Sequence, residues 1–195
     1  MIRRRLAIPF FVLTLTLISG MALRAGAPVE PAAASPADAA RIARGEYLVT
    51  IGGCNDCHTP WKMGARGPEP DMTRMLSGHP STLQMPPAPA IPPGPWMATA
   101  AATMTAWAGP WGTSFTANLT PDRETGLGDW TLEQFVQTLK TGRHQGKGRP
   151  ILPPMPYFNY AKATDEDLAA IFAYLQSIPV VHNRVPQPID PPEAQ

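Results

Sequence analysis

Between Met85 and Trp96 the chain reads MPPAPAIPPGPW, six prolines in twelve residues. Proline lacks the backbone N–H that a helix interior or a central strand needs, so this stretch can be neither. With 25 prolines in 195 residues, long helices throughout are excluded, while 44% hydrophobic residues exclude a disordered chain. Residues 59–118 therefore read as one long non-helical insertion. Three of its tryptophans, Trp96, Trp107 and Trp111, are expected to pack on apolar neighbours.

Helical patterns lie on either side of it. A first helix is expected from about Ala37 to Thr50, with Ala40, Ala43, Tyr47 and Ile51 on one face and Gly52–Gly53 as its stop. In WTLEQFVQTLKTG, Thr131 and Gln134 have capping-box spacing, and Trp130 with Phe135 fits a hydrophobic staple. Leu132, Phe135, Val136 and Leu139 form its apolar stripe and Gly142 closes it. In TDEDLAAIFAYLQSIP, Thr164 caps an acidic first turn that suits the helix dipole. Leu168, Ile171, Phe172 and Leu175 repeat the stripe, and Pro179 ends it. The fold class that follows is an all-α body carrying one Pro/Trp-rich non-helical insertion.

The N-terminus speaks of location. Arg3, Arg4 and Arg5, an apolar run from Leu6 to Ile18 and Ala25-Gly26-Ala27 have the layout of a secretory signal. An uncleaved membrane anchor is the alternative reading of residues 1–27, because the apolar run to Leu23 is of borderline length for spanning. Loss of residues 1–27 changes the net charge from +1 to −3, and nothing in either value points to nucleic acid. Residues 28–37 read as a linker, 38–182 as the folded domain, and 183–195 as an extended, proline-rich tail. The domain is expected in the periplasm, free or held at the inner membrane.

The two cysteines both fall in CNDCH, Cys54 to His58. A disulfide across two intervening residues closes a tiny loop and removes little unfolded-state entropy. It also leaves His58 without a role. A thioredoxin-like dithiol wants a strand before it, and a zinc site wants a second ligand pair; neither is visible. Covalent haem c accounts for all three residues: Cys54 and Cys57 for the two thioethers, His58 as the proximal ligand. For the second axial position Met155, in RPILPPMPYFNY, stands out. Prolines at 153, 154 and 156 stiffen its backbone, and methionine–histidine is a standard haem ligation. Met63, Met72, Met75, Met85, Met97 and Met104 read as fillers. The rival ligands His79, His144 and His182 sit in turn-like surroundings and read as surface histidines. Arg149 is a candidate contact for a haem propionate, with Arg143 and Lys147 in the same basic loop.

Taken together, RGEYLVTIGGCNDCHTP, NLTPDRETGLGDW and ILPPMPYFNYAKATDEDLAAIFAYLQSIP resemble class I c-type cytochromes. The likeness is closest to bacterial cytochromes associated with membrane-linked dehydrogenases and respiratory chains. The resemblance implies a cytochrome c-like helical domain around one covalent haem, with Cys54 and Cys57 as attachment sites and His58 and Met155 as axial ligands. It also implies a close contact of first and last helices at Gly45 and Tyr174. The long insertion departs from the small members of the family.

The expected function is periplasmic electron transfer by one haem c cycling between Fe(II) and Fe(III), without catalysis. Its partners would be a dehydrogenase donor and an oxidase or another cytochrome as acceptor. The alternatives are a haem-bearing subunit of a dehydrogenase complex, with the insertion docking the partner or, the reading its tryptophans favour, forming part of the haem wall, and a peroxidase-type enzyme with a displaceable Met155.

Overall fold

A computed structural model describes residues 35–191. The expected signal or anchor at 1–27, most of the linker and the last four residues of the tail lie outside that range. Helix α1 spans Pro36–Ile51. It starts where Ser35 accepts from the Asp38 N–H at 3.1 Å, with Pro36 at the first helical position, where a missing N–H costs nothing. Helix α2 is the short Cys54–His58 turn, α3 is Leu132–Thr141, α4 is Tyr157–Tyr160 and α5 is Asp165–Ser177. The capping box of Thr131 and Gln134 is fully formed, and Thr164 accepts from Asp167 N at 3.1 Å. Among the described residues, no helix is long and apolar enough to cross a membrane.

The core is built where α1, α3 and α5 meet. Val49, Phe135, Leu139, Leu168, Ile171 and Leu175 are buried there with Leu76, Leu127 and Ile178. Full burial of a side chain such as Leu168 is worth roughly 1.5–3 kcal/mol. The face of α1 that packs differs from the one expected. Tyr47 and Ile51 are 54% and 62% exposed, whereas Gly45 and Val49 are buried. Close approach decides this: a Cβ on Gly45 would run into the Ala170 carbonyl and come within 2.8 Å of Tyr174 Cβ. The absent side chain lets the two helices touch backbone to side chain, and the next inward residue, Val49, follows it.

The expectation of an all-α domain is overturned by two small antiparallel sheets inside residues 59–118. Strand β1, Trp61–Gly64, pairs with β2, Gly67–Pro70. Strands β3, Thr99–Ala100, β4, Ala106–Gly109, and β5, Gly112–Phe115, form a three-stranded sheet in chain order. Both four-residue hairpins turn over two residues, Ala65–Arg66 and Pro110–Trp111. In such a hairpin the pair flanking the turn exchanges hydrogen bonds and the next pair does not. Pro68 and Pro70 therefore fall where no N–H is required. The MPPAPAIPPGPW stretch itself has neither helix nor strand. Trp107 and Trp111 are half-buried and donate to Met104 O and the Ser114 hydroxyl, but Trp96 is 77% exposed.

The tail does more than run along the surface. Asn183 is buried, and Ile189 exchanges backbone hydrogen bonds with Thr113 at 2.8 and 2.9 Å, adding to the free edge of β5. Those bonds hold the segment between them across one side of the cavity described next.

Candidate cofactor site

Helix α2 is one turn long because its ends demand it. Gly53 enters in the left-handed conformation, φ 66°, which a side chain resists. Thr59 leaves it extended and is buried, its hydroxyl donating to Asn55 Oδ1 and accepting from Leu76 N. Within that turn Cys54 and Cys57 are three residues apart, so both thiols share one face. Burial pushes the Cys54 thiol up to about 11 and raises Cys57 as well. A thiol held protonated is the opposite of the low-pKa environment of reactive dithiols. No group of three or more His, Cys, Asp or Glu suited to a metal ion occurs among the described residues.

Both thiols open onto a cavity of about 790 Å³. His58 and Met155 also line it, as do the core side chains Phe135, Leu139, Ile171 and Leu175. This volume lies within the ~300–1,000 Å³ of ordinary cofactor pockets, and the wall is mostly apolar with a few polar groups, as such pockets are. Two thiols, an imidazole and a thioether around one apolar space form a donor set that fits haem c.

His58 is the best-determined member. Its Nδ1 lies 2.8 Å from the Ala117 carbonyl oxygen, and a carbonyl only accepts. The proton therefore sits on Nδ1, leaving the Nε2 lone pair free for a metal. Close packing of protein atoms around the ring lowers its pKa, against the opposing effect of the Ala117 bond. A neutral imidazole is the form that ligates.

Met155 is half-buried on the loop between α3 and α4. Ser114 of β5 donates to Pro153 O at 2.6 Å, and Tyr157 N donates to Met155 O at 3.0 Å. Arg149 lies on the cavity's rim with its guanidinium directed to Pro150 O at 3.4 Å. Two further arginines share the rim, Arg123 and Arg184, each already paired with a carboxylate: Asp129 and Glu124.

The histidines separate clearly. His79 is completely buried, contrary to the surface reading, with Nδ1 3.0 Å from Thr105 Oγ1 and Nε2 3.3 Å from Leu83 O. Burial lowers its pKa, and it does not line the cavity. His144 is exposed at the cavity rim and edge-on to Trp130, ring centroids 5.1 Å apart. His182 is exposed beside Asp122 at 3.4 Å. Trp130, read as a staple, also reaches the cavity wall.

Sequence reasoning missed Ser114, Ala117 and the tail residues Arg184 to Pro188, all of which line the cavity. A backbone carbonyl such as that of Ala117 leaves no mark in a sequence. From the insertion, only Ser114 to Asn118 reach the cavity; its tryptophans do not.

No protein-family model matches the chain. The fructose dehydrogenase cytochrome subunit of Gluconobacter japonicus is 31% identical over 166 residues, 84% of this chain and 26% of that protein. The gluconate 2-dehydrogenase cytochrome c subunit of Pantoea cypripedii is 31% identical over 138 residues, 71% of this chain and 23% of that one. The cytochrome c subunit of the quinone-dependent alcohol dehydrogenase of Gluconobacter oxydans is 31% identical over 143 residues, 72% and 22%. The chain spans about a quarter of the length of these relatives. Over most of its own residues, it is a homologue of the cytochrome c subunits of bacterial dehydrogenases.

Proposed function

We propose that the chain is a periplasmic electron-transfer protein, or the haem-bearing subunit of a dehydrogenase complex, holding one haem c. Cys54 and Cys57 carry the thioethers, and His58 and Met155 are the axial ligands. When bound, the group supplies a one-electron Fe(III)/Fe(II) couple. What supports the reading above all is that one apolar cavity of about 790 Å³ has these four side chains in its wall.

The protein's own parts have separate tasks. The apolar side chains of α3 and α5 exclude water from the cavity, which keeps reorganisation small. The Ala117 carbonyl holds the His58 ring and its tautomer. Ser114 and the flanking prolines hold Met155. At the rim, Arg149 is positioned to meet an anion such as a propionate. With Arg143 and Lys147 it forms an exposed basic loop in which no residue is ion-paired among the described residues. That loop suits a redox partner with an acidic face. The relatives are named as subunits of fructose, gluconate and alcohol dehydrogenases. By that likeness the donor is a dehydrogenase, and the acceptor an oxidase or another cytochrome.

Mass spectrometry of the exported, denatured protein tests the attachment. The chain should carry one additional haem mass, and Cys57→Ala or Cys54→Ala should reduce attachment to a single bond or abolish it. A colourless protein with two free thiols would end the reading. The ferric protein should also show the long-wavelength sulfur-to-iron charge-transfer band, lost in Met155→Ala.

A further inference from the structure

We propose that Asn118 and Asn183 are positioning residues for His58: together they clamp the segment whose Ala117 carbonyl accepts the imidazole proton. The inference rests on the reading of His58 as an iron ligand. It goes beyond that reading by assigning control of the ligand's electron donation to two residues outside the ligand set.

The argument begins at the histidine. The Ala117 carbonyl can take the Nδ1 proton only if residues 116–119 stay in place. Their support is residues 76–79, which run beside them: His79 N donates to Thr116 O at 3.0 Å and Leu119 N to Leu76 O at 2.8 Å. Between those bonds, Gly78 N donates to the backbone oxygen of His58 at 2.7 Å. Gly78 is in the left-handed region, φ 76°, and a Cβ there would lie 2.6 Å from Ala117 C. The three segments around His58 are thus in backbone contact with no slack.

The two asparagines, one in this layer and one in the tail, tie the layer to residues 181–183. Asn183, 3% exposed, donates through Nδ2 to Ser77 O at 2.7 Å and His79 O at 2.8 Å, and accepts from Ser81 N at 2.9 Å. Asn118, also 3% exposed, sits next to Ala117. Its Nδ2 donates to Val181 O at 2.8 Å, and its Oδ1 accepts from Thr120 N at 3.0 Å and the Thr120 hydroxyl at 2.8 Å. Thr125 Oγ1 links the pair, lying 3.2 Å from Asn118 Nδ2 and accepting from Asn183 N at 3.0 Å. Buried amides this fully satisfied are rigid, because any displacement strands several polar groups away from water. Neither asparagine hydrogen-bonds the imidazole, so each acts through the backbone.

The consequence is electronic. A hydrogen bond from Nδ1 to a carbonyl makes the imidazole a better donor, which favours ferric over ferrous iron. Loosening the clamp weakens that bond and moves the equilibrium toward the reduced form.

The test uses the haem-loaded full chain. Asn183→Ala should raise the midpoint potential and speed exchange of the His58 ring N–H with solvent severalfold, with both axial ligands retained. Asn118→Ser should do the same, and it is the variant to read if Asn183→Ala does not accumulate in loaded form. Val49→Ala, which opens the core away from the clamp, should lower stability and leave both quantities unmoved. Unmoved potential and exchange in the asparagine variants, or an equal change in Val49→Ala, would overturn the inference alone. Wild-type protein without haem would overturn it together with the reading beneath it.

Discussion

Ser114 ties the methionine loop to the insertion: its hydroxyl, buried on β5, donates to the Pro153 carbonyl at 2.6 Å, two residues before Met155. Insertion and candidate ligand are therefore mechanically joined, although 39 residues separate the bonded pair along the chain.

Removing that hydroxyl should loosen the sulfur. A typical hydrogen bond contributes ~1 kcal/mol net, a factor of about five in an equilibrium constant. Ser114→Ala in the haem-loaded protein should bind added imidazole about fivefold more tightly, by displacing Met155 more readily. Titration of the charge-transfer band checks this, and unchanged affinity would separate the loop's rigidity from Ser114.

The α1–α5 contact offers a test of stability. Alanine normally improves a helix by about 1 kcal/mol over glycine. At Gly45 its Cβ meets the Ala170 carbonyl and Tyr174, so Gly45→Ala should destabilise by roughly 1–3 kcal/mol. Chemical denaturation would show it, and a variant as stable as the parent would contradict the packing.

Acid sensitivity should involve two aspartates. The Thr125 hydroxyl holds Asp122 below the ordinary carboxylate value, with His182 helping and burial opposing. The Lys62 ammonium, with Thr73, does the same for Asp71. A lowered folded-state pKa means stabilisation that is fully present above about pH 4, the unfolded value. It is lost as pH falls through the depressed values. Asp122→Asn and Asp71→Asn should each lower stability at neutral pH and flatten its decline below about pH 4. A decline with the parent's slope would rule the residue out.

The basic loop makes a kinetic prediction. Lys147→Glu should slow oxidation of the loaded protein by anionic reagents and speed it by cationic ones at low salt. The difference should vanish near 1 M, where screening acts over ~3 Å. Stopped-flow rates across ionic strength decide the matter, and salt-independent rates would remove the loop from the docking face.

What could be read along the chain was local. The CNDCH motif, the Thr131–Gln134 capping box, the Thr164 cap, the stripe of α5 and that of α3 except Leu132, which is 43% exposed, each depend on residues three or four apart, and spacing carries them. The five strands were not legible. They are two to four residues long, four of them contain glycine and one contains prolines, and all are too short for an alternation to register.

The wall of the cavity was decided only in three dimensions. Which face of α1 turns inward depends on what α5 presents to Gly45, and sequence spacing alone favoured the face of Tyr47 and Ile51. His79 is buried because Thr105 and Leu83 satisfy both its nitrogens, and Asn183 reaches the Ser77 carbonyl across 106 residues. Short-range backbone preferences determine helices and motif spacing, because their energies come from neighbours in the chain. The imidazole's acceptor, the methionine's tether and the strap across the cavity come from partners far along the polypeptide. Their hydrogen bonds exist only once folding has excluded water, so tertiary structure alone could place them.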